Sequence, residues 1–363
     1  MTRPLESLAG AFLMNICFHA FAKTMLDVRT IQPVKAMRQM GANVFYAEET
    51  RPLPRLTDPS EPRILILQRL VPEPRNWIAA LCSAWRKGWV TIVEDDDHPD
   101  LYARSLGKNA HVVTAFSART AHAMQTATQA LAAWHRRNTP YVTAFENQVY
   151  ELPPLETRPD DHVRLFFGAI NREACWRPLI DTINDTLRRH SHVVPVVVHD
   201  RDFFQALDSP GKQFHPAMTH EDYMTLLATC DISLLPLSDN RGNRCKSDLK
   251  FIEAAAAGNA VIASPTVYDA SVKDGRTGLI AGTTEDWCRH LEALISTPAY
   301  RRTMGMAART YVARERMLMQ HIGKRLAWYR QVWDNRADLH AALEAREPRV
   351  ARLGARQSAR RMP

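Results

Sequence analysis

Short apolar runs alternate along the chain with stretches whose apolar residues recur every three or four positions. Runs bounded by turn residues read as buried strands, and a 3.6-residue period reads as helix. In the first half, runs at 11–16, 43–46, 64–67, 90–93, 112–115 and 141–144 predict strands. Helical patterns separate them at 30–40, 77–87 and 118–136, and Ser117 and Thr120 suit the start of the last of these. Pro153, Pro154 and Pro159 mark a linker over 151–162. A second set of strands is predicted at 164–168, 194–198, 232–236, 260–263 and 279–280. Such alternation builds parallel sheets covered on both faces. The expected architecture is α/β, with doubly wound parallel-sheet domains at 1–150 and 163–315. A helix over 316–335 is expected to pack back toward the first domain, followed by a basic, disordered tail at 336–363. Open sheets of this kind bind ligands beyond the carboxyl ends of their strands, in a cleft.

Residues 8–22 (LAGAFLMNICFHAFA) imitate a signal peptide, but Asn15 and His19 interrupt the run and Glu6 spoils a basic start. They are read as a first strand and its loop. No run approaches the ~20 apolar residues needed to span a membrane. The six cysteines are scattered without a CxxC, which argues against a zinc site and fits a reducing, cytoplasmic compartment.

The net charge is +8, and the five arginines after Pro348 leave about +3 for the rest. A tail of that composition is a solvated segment or one that touches an anionic membrane surface, here the inner face. Basic residues are not interleaved with aromatics, so nucleic-acid binding has no support. Trp77, Trp85 and Trp89 lack the periodicity of a binding face and read as core.

The chemistry concentrates in residues 246–278, KSDLKFIEAAAAGNAVIASPTVYDASVKDGRTG. Ser247 suits an N-cap, Asp248 the first helical turn, and Gly258 the residue past the C-terminus. Glu253 falls on the same stripe as Leu249 and Ala256, where a carboxylate is costly unless hydrogen-bonded. Sugar hydroxyls would serve, and a buried salt bridge is the competing explanation.

This segment resembles the nucleotide-binding half of retaining glycosyltransferases of the GT-B fold, the group 1 or family 4-like class. The family's E-A-x-A-x-G helix, P-V-I-A-S strand and D-G-x-T-G loop are similar to Glu253–Gly258, Val261–Ser264 and Asp274–Gly278. The similarity runs to about Trp333, and the strand at 231–237 shares it. The resemblance implies two Rossmann-like domains and transfer of a sugar from a nucleotide-diphosphate donor, a co-substrate, to a glycan, lipid-linked or protein acceptor. It implies retention, no catalytic metal or other cofactor, and a bacterial role in cell-surface glycan synthesis. One departure stands out: the family's first glutamate, eight residues before the helix glutamate, is here Cys245.

The leaving diphosphate needs positive charge and N–H donors. Lys246, just before Ser247 and the helix N-terminus, and Arg172, after the strand at 164–168, are the expected catalytic groups. Glu253 is implied to accept the ribose hydroxyls. Ser247, Lys250, Gly168, Arg177, Asn243 and Asp239 complete the expected donor side, although Lys250 would equally pair with Glu253 on the helix surface. Asn240, His199 and Asp200 are polar residues at strand ends or in the donor loop, where turn formation competes with ligand contact.

In the first domain His19, Arg69, Asp97 and His98 are expected on the acceptor or sugar side. Asp95-x-Asp97 also matches the metal-binding DxD of the other glycosyltransferase fold, but the second-half pattern outweighs a three-letter match. The rivals are another chemistry on the same fold, such as sugar-nucleotide epimerisation or phosphorolysis, and a non-catalytic nucleotide-sugar or glycan binder.

Overall fold

A computed structural model describes residues 14–21, 25–48, 53–54, 56, 58, 60–69, 74–102, 107–155, 161–350 and 352. The chain divides into a first unit, residues 1–147 with 318–363, and a second unit, residues 148–317. The first unit holds β1 (Asn15–Ala20), β2 (Asn43–Glu48), β3 (Arg63–Gln68), β4 (Val90–Asp95), β5 (Ala123–Thr126) and β6 (Val142–Ala144). The second holds β7 (Val163–Gly168), β8 (Val193–Val198), β9 (Gln213–His215), β10 (Ile232–Leu235), β11 (Ala260–Ala263) and β12 (Leu279–Ile280). Each unit has one six-stranded sheet, ordered β2-β1-β3-β4-β5-β6 and β12-β11-β10-β7-β8-β9. Every pairing is parallel. β3 and β4 are buried along their whole length, as strands covered on both faces must be, so they read as continuous apolar runs.

Strand order reverses direction between β1 and β3 in the first sheet and between β7 and β10 in the second. At such a switch point the connections leave toward opposite faces and a crevice opens at the carboxyl ends. Those ends are therefore where side chains matter most.

Two sequence expectations shift. The first strand is Asn15–Ala20, with residues 8–13 outside the described ones. The run at 112–115 is not a strand: it lies in the helix Ala110–Arg119, and the strand is β5, inside the stretch read as helix at 118–136. Val112, Val113 and Thr114 favour strands locally, but tertiary packing overrides so weak a preference, leaving Val112 on the surface. Ser117 and Thr120 accordingly do not start a helix. Their hydroxyls donate back to the carbonyls of Val113 and Phe116 near that helix's C-terminal end, at 3.0 and 2.9 Å. The short strand β9 has no predicted counterpart.

The tail also differs from expectation. Residues 336–346 form a helix that buries Leu339 and Leu343, four positions apart on one face. Arg346 donates to the carbonyls of Arg119 and Ala121, at 2.9 and 2.8 Å, so this basic residue satisfies backbone at a helix end. Arg356, Arg360 and Arg361 lie outside the described residues. The preceding helix, Leu318–Asp334, packs on Gln32–Gln39 within the same unit. Trp77 and Trp89 are core residues of that unit, as the sequence suggests, and Trp77 donates to Thr120 Oγ1 at 2.7 Å.

In the second unit the helix Leu249–Ala256 ends as predicted. Gly258 has φ +76°, its N–H bonds Ala255 O, and Asn259 N–H bonds Ala254 O, which together close a left-handed helix stop. The helix Pro298–Glu315 crosses this turn so closely that a Cβ on Gly305 would sit 2.1 Å from Gly258 O. Glycine to alanine inside a helix ordinarily gains about 1 kcal/mol. Gly305→Ala is expected to reverse that sign and destabilise by about 1–3 kcal/mol, because backbone must move. Chemical denaturation of the variant beside a half-buried control in the same helix, Ala307→Gly, checks the sign.

Candidate functional site

β7 and β10 flank the switch point of the second sheet, and the loops leaving them meet. After β7 the chain runs through Asn171, held at φ +56°, to Arg172 at the start of the helix Glu173–Trp176. After β10 it runs through Ser238 to the short helix Asn243–Cys245. Arg172 Nη1 donates to Asn243 Oδ1 at 3.4 Å, and Asn243 Nδ2 donates to Ser238 O at 2.8 Å. Cys175 Sγ lies 3.3 Å from Ser238 Oγ. Asn243 is thus a buried strut that holds the guanidinium of Arg172 against the donor loop.

The loop passes through Lys246 in extended backbone, φ −70° and ψ 156°, and enters the helix Leu249–Ala256. The capping differs from expectation. Asp248, not Ser247, occupies the N-cap position, and its side chain makes no cap bond. Its carboxylate instead takes the two terminal guanidinium nitrogens of Arg316, at 2.6 and 2.9 Å. Burial weakens the charge of Arg316, and Asp248 more than restores it, so this planar, two-bond pair is a permanent fixture. The first N–H groups of a helix have no acceptor within it and carry partial positive charge. Lys246 lies two residues before the N-cap Asp248 in the chain.

Glu253 is nearly inaccessible, at 3% exposure. Its Oε1 lies 3.0 Å from His220 Nε2, and its Oε2 lies 3.3 Å from Lys250 Nζ. Burial alone would raise its pKa, but Lys250 first and then His220 outweigh that and hold it below the usual glutamate range. Lys250 also donates to Tyr223 OH at 3.0 Å and sits 4.3 Å above that ring. Burial pushes the Tyr223 phenol up to about 12, so it stays protonated. The competing salt-bridge account of Glu253 is therefore realised, and it leaves two of the roughly four acceptor positions of a carboxylate unused.

The other donor-side expectations separate. Gly168 ends β7, but the room its missing Cβ leaves is filled by Phe166 and Tyr223, at 2.7 and 2.9 Å from where that atom would be. It serves packing rather than close approach of backbone to a ligand. Arg177 is exposed, pairs with Glu173 and lies over the Trp176 ring, because a lone turn separates it from Glu173 at i,i+4. Asp239 is likewise exposed and tied to Arg244 in a two-bond pair at 2.5 and 2.7 Å. Cys245 is buried. Asp200 caps the helix Arg201–Ala206 through Phe203 N–H, and His199 takes φ +71°. Sequence reading missed His220 and Tyr223. Thr219 and Asp222 do mark a helix start there, since Thr219 accepts from Asp222 N–H, but only the fold shows which helix that start faces. A depression of about 410 Å³ near Arg164 and Asp231 lies at the amino ends of β7 and β10, opposite the loops just described.

In the first unit, β1, β3 and β4 bring His19, Arg69 and the 94–97 acids to one end of the sheet. His19 stacks on Phe21 at 4.5 Å. Arg69, at φ +66°, lies 2.9 Å from Asp96 and 3.6 Å from Asp97. His98 is fully buried, its ring edge-on to Trp134 at 5.0 Å, and its Nδ1 accepts from Asp100 N–H. This placement makes it a core residue rather than one facing a sugar. Among the described residues no group of three or more His, Cys, Asp or Glu is arranged to hold a metal ion. None of their helices is long and apolar enough to cross a membrane.

Residues 172–327 match the model of a glycosyl transferase-like family. Comparison with the curated proteins returned no match. Among solved structures, HepE of Anabaena, determined with UDP and glucose, superposes with a TM-score of 0.61 at 12% identity, over 87% of this chain and 98% of that one. The sucrose-phosphate synthase of Thermosynechococcus elongatus gives 0.63 at 14%, over 88% and 99%. A glycosyltransferase of Rickettsia africae gives 0.61 at 11%, over 89% and 99%. The chain thus has the GT-B fold, with two Rossmann-like sheets, and residues 172–327 of it are similar to a glycosyl transferase-like family.

Asp95, wholly buried at the end of β4, sets a pH test. Burial first, and Asp96 beside it, push its pKa up to about 7, although Tyr102 OH donates to it at 2.5 Å. An unfolded Asp titrates near 3.9. Between those values the folded chain holds a proton that the unfolded chain has released, so stability rises as pH falls from 8 toward 4. The gain is on the order of 4 kcal/mol from a shift of about three units. Urea melts between pH 8 and 5 should show this slope, and Asp95→Asn should flatten it.

Proposed function

We propose that this protein transfers a sugar from a nucleoside-diphosphate donor to an acceptor hydroxyl, with retention, within cell-surface polysaccharide or glycoconjugate synthesis. The observation that carries this is the gathering of Arg172, Asn243, Lys246 and the Leu249–Ala256 helix start around the β7/β10 switch point. The HepE structures hold UDP or UDP-glucose, which supports a nucleotide-sugar donor here. In this reading Arg172 and Lys246 neutralise the diphosphate as its bond to the anomeric carbon breaks, and the helix N–H groups share that charge. The acceptor hydroxyl attacks from the face the diphosphate leaves, and the departing phosphate oxygen takes its proton. Glu253 accepts the ribose hydroxyls. No resident cofactor or metal is invoked. Contact of the basic C-terminal segment with anionic membrane on the cytoplasmic side remains part of the proposal.

The burial of Cys245 favours a second reading in one respect. A side chain directed inward does not replace the family's first glutamate at the donor sugar. A nucleotide-sugar binder without transfer activity would share every other feature of the site.

A thermal-shift screen of nucleoside diphosphates and their sugars tests the donor site. A ligand at 100 times its dissociation constant should add about 2.7 kcal/mol of stability. The expected outcome is a response selective for one nucleotide class, lost in Lys246→Ala and Arg172→Ala. A screen without any response sinks the donor reading. Release of free nucleoside diphosphate from the responding donor, with or without added acceptor, separates transferase from binder.

A further inference from the structure

His220 and Lys250 reach Glu253 from different helices and take one carboxylate oxygen each. His220 opens the helix His220–Ala228, whose start is fixed by Thr219 accepting from Asp222 N–H at 3.1 Å. Lys250 is fixed in turn by Tyr223, through the 3.0 Å bond to its hydroxyl and the ring beneath its ammonium. Tyr223 fills the space beside Gly168, where a Cβ would come within 2.9 Å of its ring. Contacts therefore run unbroken from the end of β7 to the carboxylate.

A carboxylate oxygen accepts along two lone-pair directions. With one direction on each oxygen taken, each keeps one, and the pair left over is spaced as the two oxygens of one carboxylate are. Two hydroxyls on neighbouring carbons match that spacing. Ordering a free glutamate on binding would cost rotamer entropy, and one already held costs less. The pairing with Lys250 is neutral overall, so the carboxylate serves as an oriented acceptor rather than as a net charge that would repel a diphosphate.

We propose that His220 and Lys250 are positioning residues that lock Glu253 with one open acceptor site on each oxygen, making it a reader of the ribose diol. This rests on the donor-site reading above. It adds that recognition of the ribose depends on a histidine in the helix after β9, acting as an N–H donor to Glu253. A carboxamide in its place should then do the same work.

Calorimetric affinities for UDP, GDP and ADP, each beside its 2′,3′-dideoxy counterpart, test this on the full chain. For the nucleotide that binds, the wild type should prefer the ribose form. In His220→Leu that affinity should fall about tenfold, the size expected for losing one hydrogen bond to a charged group, while the dideoxy affinity stays unchanged. His220→Gln should restore the preference. Tyr223→Phe, which keeps the packing and loses the bond to Lys250, should lower only the ribose affinity and serves if His220→Leu does not fold. Equal losses for both sugar forms, or no loss, would overturn the positioning role. A wild type that binds no nucleotide, or binds both forms alike, would overturn the donor-site reading itself.

Discussion

The second unit depends on how one eight-residue helix, Leu249–Ala256, is gripped. Pro298–Glu315 and the residue after it run antiparallel to that helix and hold both its ends. Gly305 meets the turn at Gly258, Arg309 donates to Ala256 O, Tyr311 stacks on Phe251, and Arg316 takes Asp248. The alanines from Ala254 to Ala257 make the approach possible, since larger side chains would hold the helices apart. The grip also explains why Asp248 makes no cap bond. Its carboxylate faces the arginine, while its carbonyl accepts from Phe251 N–H at 2.8 Å. Placement of Lys246, Glu253 and the loop before them follows from that grip.

The two sheets, each parallel around one switch point, put it to different ends. In the first unit the buried charges at the carboxyl end of the sheet bond to one another, although Arg29 Nη2 and Asp95 Oδ2 are left buried without a partner. Glu94 takes Arg29 and Gln125, Arg29 donates to Phe145 O and Asn147 Oδ1 at 2.9 Å, and Tyr329 OH donates to Gln125 at 2.8 Å. A buried ion pair gains little net stability, but a network of this kind favours one arrangement of strands and helices. In the second unit Glu253 has two partners and keeps acceptor capacity, and Arg172 meets Asn243 through a single long bond.

Much of this was legible in the sequence. Strands at 260–263 and 279–280, the glycine stop at Gly258 and the odd carboxylate at Glu253 follow from apolar runs, turn residues and helical period. Where local preference was ambiguous, reading failed. The run at 112–115, with β-branched Val112, Val113 and Thr114, is helix, and residues 336–346, expected as part of the basic tail, are an ordered helix. Propensities are worth tenths of a kcal/mol per residue, and burial of a Leu339–Leu343 face outweighs them.

By itself the sequence determined the parallel character of the sheets, because alternation of buried runs with amphipathic helices permits little else. It also marked the segment in which the chemistry lies. Only the tertiary structure decided which groups share a carboxylate or a guanidinium. His220 and Glu253 are 33 positions apart, Asp248 and Arg316 68, and Arg172 and Asn243 71. Side-chain pairing at such separations depends on how strands order in a sheet and how helices cross, which local periodicity does not encode.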